Sequence, residues 1–233
     1  MVERDHSALL GPVVAALDAL LATRPGAVVA TKPAQDAKEF LEFKLYAALH
    51  TADQVREQLP AAASALGQEA GKFTVTVDRQ ARFALFVLVD SFLFEVGSVR
   101  DAVAQLANAI FETGVATSHT QMGREVLQRL HPGRTGKAGL EAWFEEADQP
   151  AWLRRLLALR NGTTHRHVVR LPEQFQWTDA GTHNFSFTSR VHVEAGDGKY
   201  EPLQDFIDRA ESGVCALLVE SLKRLAEIEP PVR

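Results

Sequence analysis

Apolar residues recur along most of this chain with the period of a helix, and the exceptions are few and local. Residues 7–23 predict a short amphipathic helix capped by Ser7 that ends before Arg24-Pro25-Gly26. A second helix is expected from about Ala34, with Pro60 ending or bending it. "GKFTVTV" alternates Phe73, Val75 and Val77 with polar residues, which predicts a brief extended stretch. The clearest helical pattern runs from about Asp78 to Thr113, where Gly114 reads as a stop. Val96, Val99, Val103, Leu106 and Ile110 share one broad face of it, and Ser91, Glu95, Ser98, Asp101, Gln105, Asn108 and Glu112 form a narrow polar stripe on the other.

A short helix is expected near "QMGREVLQRL", and Pro150 opens another at "AWLRRLLALRN". Period-two alternation then replaces the helical one in "NFSFTSRVHVE"; with "EQFQW" before it and "DAGT" between, it predicts a β-hairpin. The helical period returns from about Pro202 to Leu225. The fold class that follows is mainly α, an up-and-down helical bundle with a small β-hairpin insertion before the last helix. Residues 1–233 read as a single helical domain, with about 1–33 as an N-terminal helical extension and about 172–198 as the β-hairpin insertion.

Composition narrows the chemistry. The net charge is −5, so a nucleic-acid surface would have to be local. The single cysteine, Cys215, excludes an internal disulfide and a cysteine-based zinc cluster, and reads as a small buried hydrophobe. The first residues lack the charged-then-apolar order of a signal peptide, and no segment has the length and apolarity of a membrane span, so a soluble cytoplasmic protein is expected. "GRTGKAG" lacks the spacer and the Ser/Thr of a phosphate loop and reads as a solvated loop. His165 and His167 with His183 and His192 would need the hairpin to fold back before they held a metal, and no carboxylate or thiol stands at ligand spacing, so neither metal nor cofactor is expected.

One segment departs from the acidic whole. Between Ala151 and Leu171 stand Arg154, Arg155, Arg160, Arg166 and Arg170 with His165 and His167, and no acid. The helix dipole accounts for bases at a helix C-terminus, but less well for those beyond Gly162. Residues five apart on an unbroken helix point about 140° apart. Asn161-Gly162 is a natural helix stop, since both residues tolerate the left-handed conformation, with Thr163 or Thr164 placed to cap a following turn; such a break permits Arg160 and His165 to converge without requiring it.

Arg160-Asn161-Gly162-Thr163-Thr164-His165 resembles the R-x(4–6)-H signature of the HEPN superfamily, with a polar residue directly after the arginine. The upstream helix "DSFLFEVGSVRDAVAQLANAIF", with its acid–serine–acid stripe, is similar to the second helix of such bundles. The resemblance covers about residues 35–228 as architecture and six residues as motif. It implies a helical bundle that forms a homodimer, two R-x-H motifs in one cleft, and metal-independent endoribonuclease activity of a toxin–antitoxin or defence system. An antitoxin-like protein partner belongs to the same expectation. In that scheme His165 moves protons as an RNA 2′-hydroxyl attacks the adjacent phosphate, and Arg160 grips the phosphate. Asn161 would orient an oxygen or the histidine. Glu95, with Ser98 and Asp101 as alternatives, would complete the site, while Arg154, Arg155, Arg166, His167 and Arg170 would bind RNA phosphates. The alternative that the same resemblance implies is a non-catalytic module that dimerises and binds RNA, a nucleotide or a partner protein.

Overall fold

The computed structural model describes residues 5–69, 72–116, 122–130, 139–165, 171–179, 185–196 and 199–228. Among them are eight helices: α1 (Ser7–Ala22), α2 (Gly26–Val29), α3 (Lys32–Ala62), α4 (Arg79–Ile110), α5 (Met122–Leu130), α6 (Glu141–Phe144), α7 (Ala151–His165) and α8 (Leu203–Glu227). Five strands accompany them: β1 (Ala65–Glu69), β2 (Lys72–Thr76), β3 (Glu173–Asp179), β4 (Phe185–Gly196) and β5 (Lys199–Pro202). The protein is mainly α, with its larger sheet immediately before the last helix. Strands β1 and β2 form an antiparallel pair, and β3, β4 and β5 form an antiparallel sheet in that order. Phe175 stands opposite Ser189 and His192 opposite Pro202.

Contacts divide the chain into two compact units. The first comprises 1–49, 94–154 and 210–233; the second comprises 50–93 and 155–209. The first buries Leu17, Leu20, Val99, Leu106 and Leu222 beside Trp143, whose indole Nε1 donates to Ser221 Oγ at 2.8 Å. Ser221 Oγ donates in turn towards the Gly139 carbonyl at 2.7 Å. Gly139 has φ +79°, and a side chain there would come within 3.1 Å of the Ser221 carbonyl, so the turn requires glycine on two counts. Arg24, buried after α1, donates from Nη2 to the Leu225 carbonyl at 2.7 Å and stacks 4.3 Å from the Phe111 ring centroid. The second unit buries Val55, Leu85, Val89, Val193 and Phe206. In it Arg82 donates to the Ala62 and Leu171 carbonyls at 3.0 and 2.9 Å and faces Glu173 at 3.5 Å. Glu173 accepts from both the backbone and the hydroxyl of Ser64 at 2.6 Å.

Several local expectations are corrected. Ser7 does not cap α1 but is its first helical residue, following His6; Asp5 Oδ1 accepts from the Ser7 amide at 2.8 Å, and the Ser7 bonds hold the Asp5 carboxyl below its usual range. Pro60 does not end α3, which continues to Ala62. The hairpin partner β1 and the edge strand β5 add to the strands that alternation predicts. Asp78 caps α4, accepting from the Gln80 and Ala81 amides at 2.9 and 3.0 Å. At its other end Asn108 closes the turn, donating to the Val115 carbonyl at 2.9 Å and accepting from its amide at 3.1 Å. The correction with most consequence is in α7. Gly162 does not stop it; the helix runs through Asn161-Gly162 to His165. A glycine inside a helix costs about 1 kcal/mol relative to alanine, which a helix already anchored by buried leucines absorbs.

Candidate functional site

The α7 helix opens on the Pro150 carbonyl, which accepts from Leu153 and Arg154 at 3.0 and 3.1 Å. Leu153, Leu156 and Leu157 are buried; Ala151, Arg154, Ala158 and Asn161 form the exposed row. At 100° per residue, Arg160 lies on the inward line with Leu153 and Leu156, and it is half-buried. Position 165 falls on the line of Ala158 and Asn161, about 140° from Arg160. The helix therefore keeps the two positions on different sides of its own axis. The side chain of His165 lies outside the described residues, as do Arg166, His167, Arg170, His183 and the "GRTGKA" stretch at 133–138.

The flanking arginines differ sharply. Arg154 is exposed. Arg155 is turned into the second unit, where it pairs with Glu201, donates from Nε to the Glu194 carbonyl at 2.8 Å, and lies 5.0 Å over the Phe206 ring. Burial, with Arg209 close by, pulls its guanidinium down to about 10, against a small opposing pull from Glu194. Arg155 thus ties α7 to β4 and β5, and its donors are used within the protein.

The three upstream residues also separate. Glu95 accepts from Lys44 Nζ at 3.0 Å, with both side chains largely buried. The ammonium lies 5.5 Å from the ring centroids of both Phe43 and Phe94 and 5.7 Å from that of Phe40, which shields the pair from water. Ser98 is buried and donates to the Phe94 carbonyl at 2.9 Å within its own helix. Asp101 alone of the three is exposed. His192 is buried, with Nδ1 donating to the Arg190 carbonyl at 2.9 Å.

The first unit holds a cleft of about 310 Å³ lined by Glu141, Asp148, Glu220 and Arg224 with Leu217 and Pro150. Three carboxylates to one guanidinium is the wrong sign for a phosphate. Sequence reasoning missed one surface feature, the exposed aromatics Phe43, Phe83 and Phe94. Phe83 and Phe94 share a helical line with Asp90 and Asp101, which alone does not decide whether they face a neighbour or water. No helix among the described residues is long and apolar enough to cross a membrane. Compared with known proteins, the chain matches no family model, no curated protein and no solved structure.

Proposed function

We propose that this is a HEPN-like protein that acts on RNA, as a metal-independent endoribonuclease of a toxin–antitoxin or defence system, working as a homodimer in the cytoplasm. The observation that carries the reading is the basic segment from Ala151 to Leu171, free of acids, with Arg160 and His165 at HEPN spacing. By residue number the second unit holds 11 lysines and arginines against 12 acids, so most of the chain's negative excess belongs to the first. The second unit is thus nearly neutral, and an anion meets less repulsion there than on the first. His165 takes the proton from the 2′-hydroxyl as that oxygen attacks the adjacent phosphorus. Arg160 neutralises the charge that builds on the phosphate, and the 5′-oxygen leaves once protonated, so a cyclic phosphate remains. Because the two positions stand about 140° apart on one helix, the reading assigns the productive pair to two chains, Arg160 from one and His165 from the other.

The test is RNA cleavage by purified protein in EDTA. Arg160→Ala and His165→Ala each abolish cleavage alone. Mixed and allowed to exchange, they regain about a quarter of wild-type activity, since half of the dimers are mixed and each carries one intact site of two. A wild type that cuts no RNA, or cleavage that persists in both variants, overturns the nuclease reading. No recovery on mixing overturns the two-chain pair. One observation favours the non-catalytic alternative: Lys44 occupies Glu95 and the helix occupies the Ser98 hydroxyl, so two of the three supporting groups are spent. RNA binding without turnover identifies that case.

A further inference from the structure

We propose that the aromatic face of the β3–β4 ribbon is a stacking platform for the unpaired bases of single-stranded RNA. The ladder sets Glu173 against Val191, Phe175 against Ser189, Trp177 against Phe187 and Asp179 against Phe185. Residues directly opposite share a face and successive ones alternate, so Phe175, Trp177, Phe185 and Phe187 all occupy positions of one face. The other face takes Gln174, Gln176, Thr178, Ser186, Thr188 and Arg190, with no aromatic among them. At its root the aromatic face is packed and held: Val191 is buried, and Glu173 accepts from Ser64 and Ser189. One rung further out that cover ends. Phe175 is exposed to 49%, and on the opposite face Gln174 and Arg190 are exposed as well.

Ring chemistry and the adjoining charge select the occupant. From Gln174 to Ser189 the chain carries no lysine or arginine and a single acid, Asp179. This stretch therefore offers little to a phosphate and a row of rings to the flat face of a base. Stacking of that kind needs a base drawn out of its pair, which excludes a duplex. The phosphates have a partner in the preceding residues. The run from Arg160 to Arg170 is free of acids and leads directly into β3, and Arg170 stands five positions before Phe175, a span of at most about 18 Å. Cations beside rings are the combination that holds a single strand without a sequence code, and they favour a polyanion over a protein on the same rings. From Phe175 to Asp179 the ribbon runs roughly 14 Å, a length for about three bases. The platform rests on the RNA reading above and adds the class of RNA: unpaired, and held by its bases as well as its phosphates.

The experiment is fluorescence anisotropy with a labelled 2′-fluoro oligouridine of about twelve nucleotides, which lacks the hydroxyl that cleavage needs, against a duplex of the same chemistry and length. The full chain is expected to bind the single strand more tightly than the duplex. Phe175→Ala and Trp177→Ala each weaken the single strand by about 5- to 100-fold and leave the slope against salt unchanged, since the phosphate contacts stay. Phe175→Leu and Trp177→Leu, which keep apolar bulk and lose the aromatic face, weaken it by a similar factor. Phe175→Tyr and Trp177→Phe bind close to wild type. Ultraviolet crosslinking of the bound oligomer to the unmutated chain, mapped by mass spectrometry, places base adducts on Phe175 or Trp177. Ring variants that bind the single strand as the wild type does overturn the platform and leave the face to a protein, with the RNA reading standing. A duplex bound as tightly as the single strand, or adducts confined to other peptides, overturns it too. A wild type that binds neither RNA overturns the platform and the RNA reading together.

Discussion

Replacing Gly162 by alanine tests the geometry on which the functional argument turns. If Gly162 ended α7 in a left-handed conformation, a β-carbon would clash with the following carbonyl and the substitution would cost about 1–2 kcal/mol. Inside a continuous helix it does the reverse, because alanine loses less backbone freedom on folding. The gain is about 0.5–1 kcal/mol, towards the lower end because Gly162 lies three residues from the end of α7 at His165. For a chain of 233 residues that raises the melting temperature by about 1–4 °C. Urea unfolding followed by circular dichroism measures it: the midpoint moves to higher urea with the slope unchanged. On the proposed nuclease reading, RNA cleavage is retained, since the helix that sets Arg160 and His165 apart is unaltered. A destabilisation of 1 kcal/mol or more would refute the continuous helix, restore a break between the two residues, and return the pair to a single chain.

Three other outcomes follow from particular contacts. Ser221→Ala leaves the Trp143 indole N–H buried without its acceptor and costs about 2–4 kcal/mol in thermal or urea unfolding, whereas Trp143→Phe, which removes the donor, costs less through that bond. Arg155→Met lowers stability by about 2–4 kcal/mol, because Glu201 keeps only Arg209, while Arg154→Met leaves unfolding unchanged and, on the proposed RNA reading, weakens RNA retention at low salt. Burial, with Glu211 nearby, pushes the Cys215 thiol up to about 12 from 9.0, so the folded chain does not react with a thiol reagent at pH 8 and the denatured chain does. Since that group is raised on folding, its contribution is intact below pH 9.0 and declines towards pH 12; Cys215→Ala removes this part of the pH dependence.

Long periodic segments carried their own structure. The apolar face of α4 and the run from Phe206 to Leu225 needed nothing beyond helical spacing, and the alternation in "NFSFTSRVHVE" was enough for β4. The first strand, "ALGQE", has no such alternation, and β5 is a four-residue edge ending in Pro202 that exists only because β4 offers it partners. Asn161-Gly162 permits a helix to stop without obliging it to. Whether it does depends on what the next turn packs against, and no local pattern records that. Arg155 was legible as a charge but not as a half-buried, paired one, because its partner Glu201 comes much later in the chain. Exposure of Phe83 and Phe94 was equally out of reach, since an apolar residue on a polar line can face either a hidden neighbour or water.

The Arg24 bond to the Leu225 carbonyl spans 201 residues, and the first unit draws on 1–49, 94–154 and 210–233. On the ribosome, the early helices of that unit emerge long before the segment that finishes their core. They must be held, by chaperones or by reversible collapse, while everything in between is synthesised. Translation pace through the two interrupting stretches, 50–93 and 155–209, therefore sets how long an unfinished hydrophobic surface is open to aggregation, and heterologous expression is expected to respond to synonymous changes there.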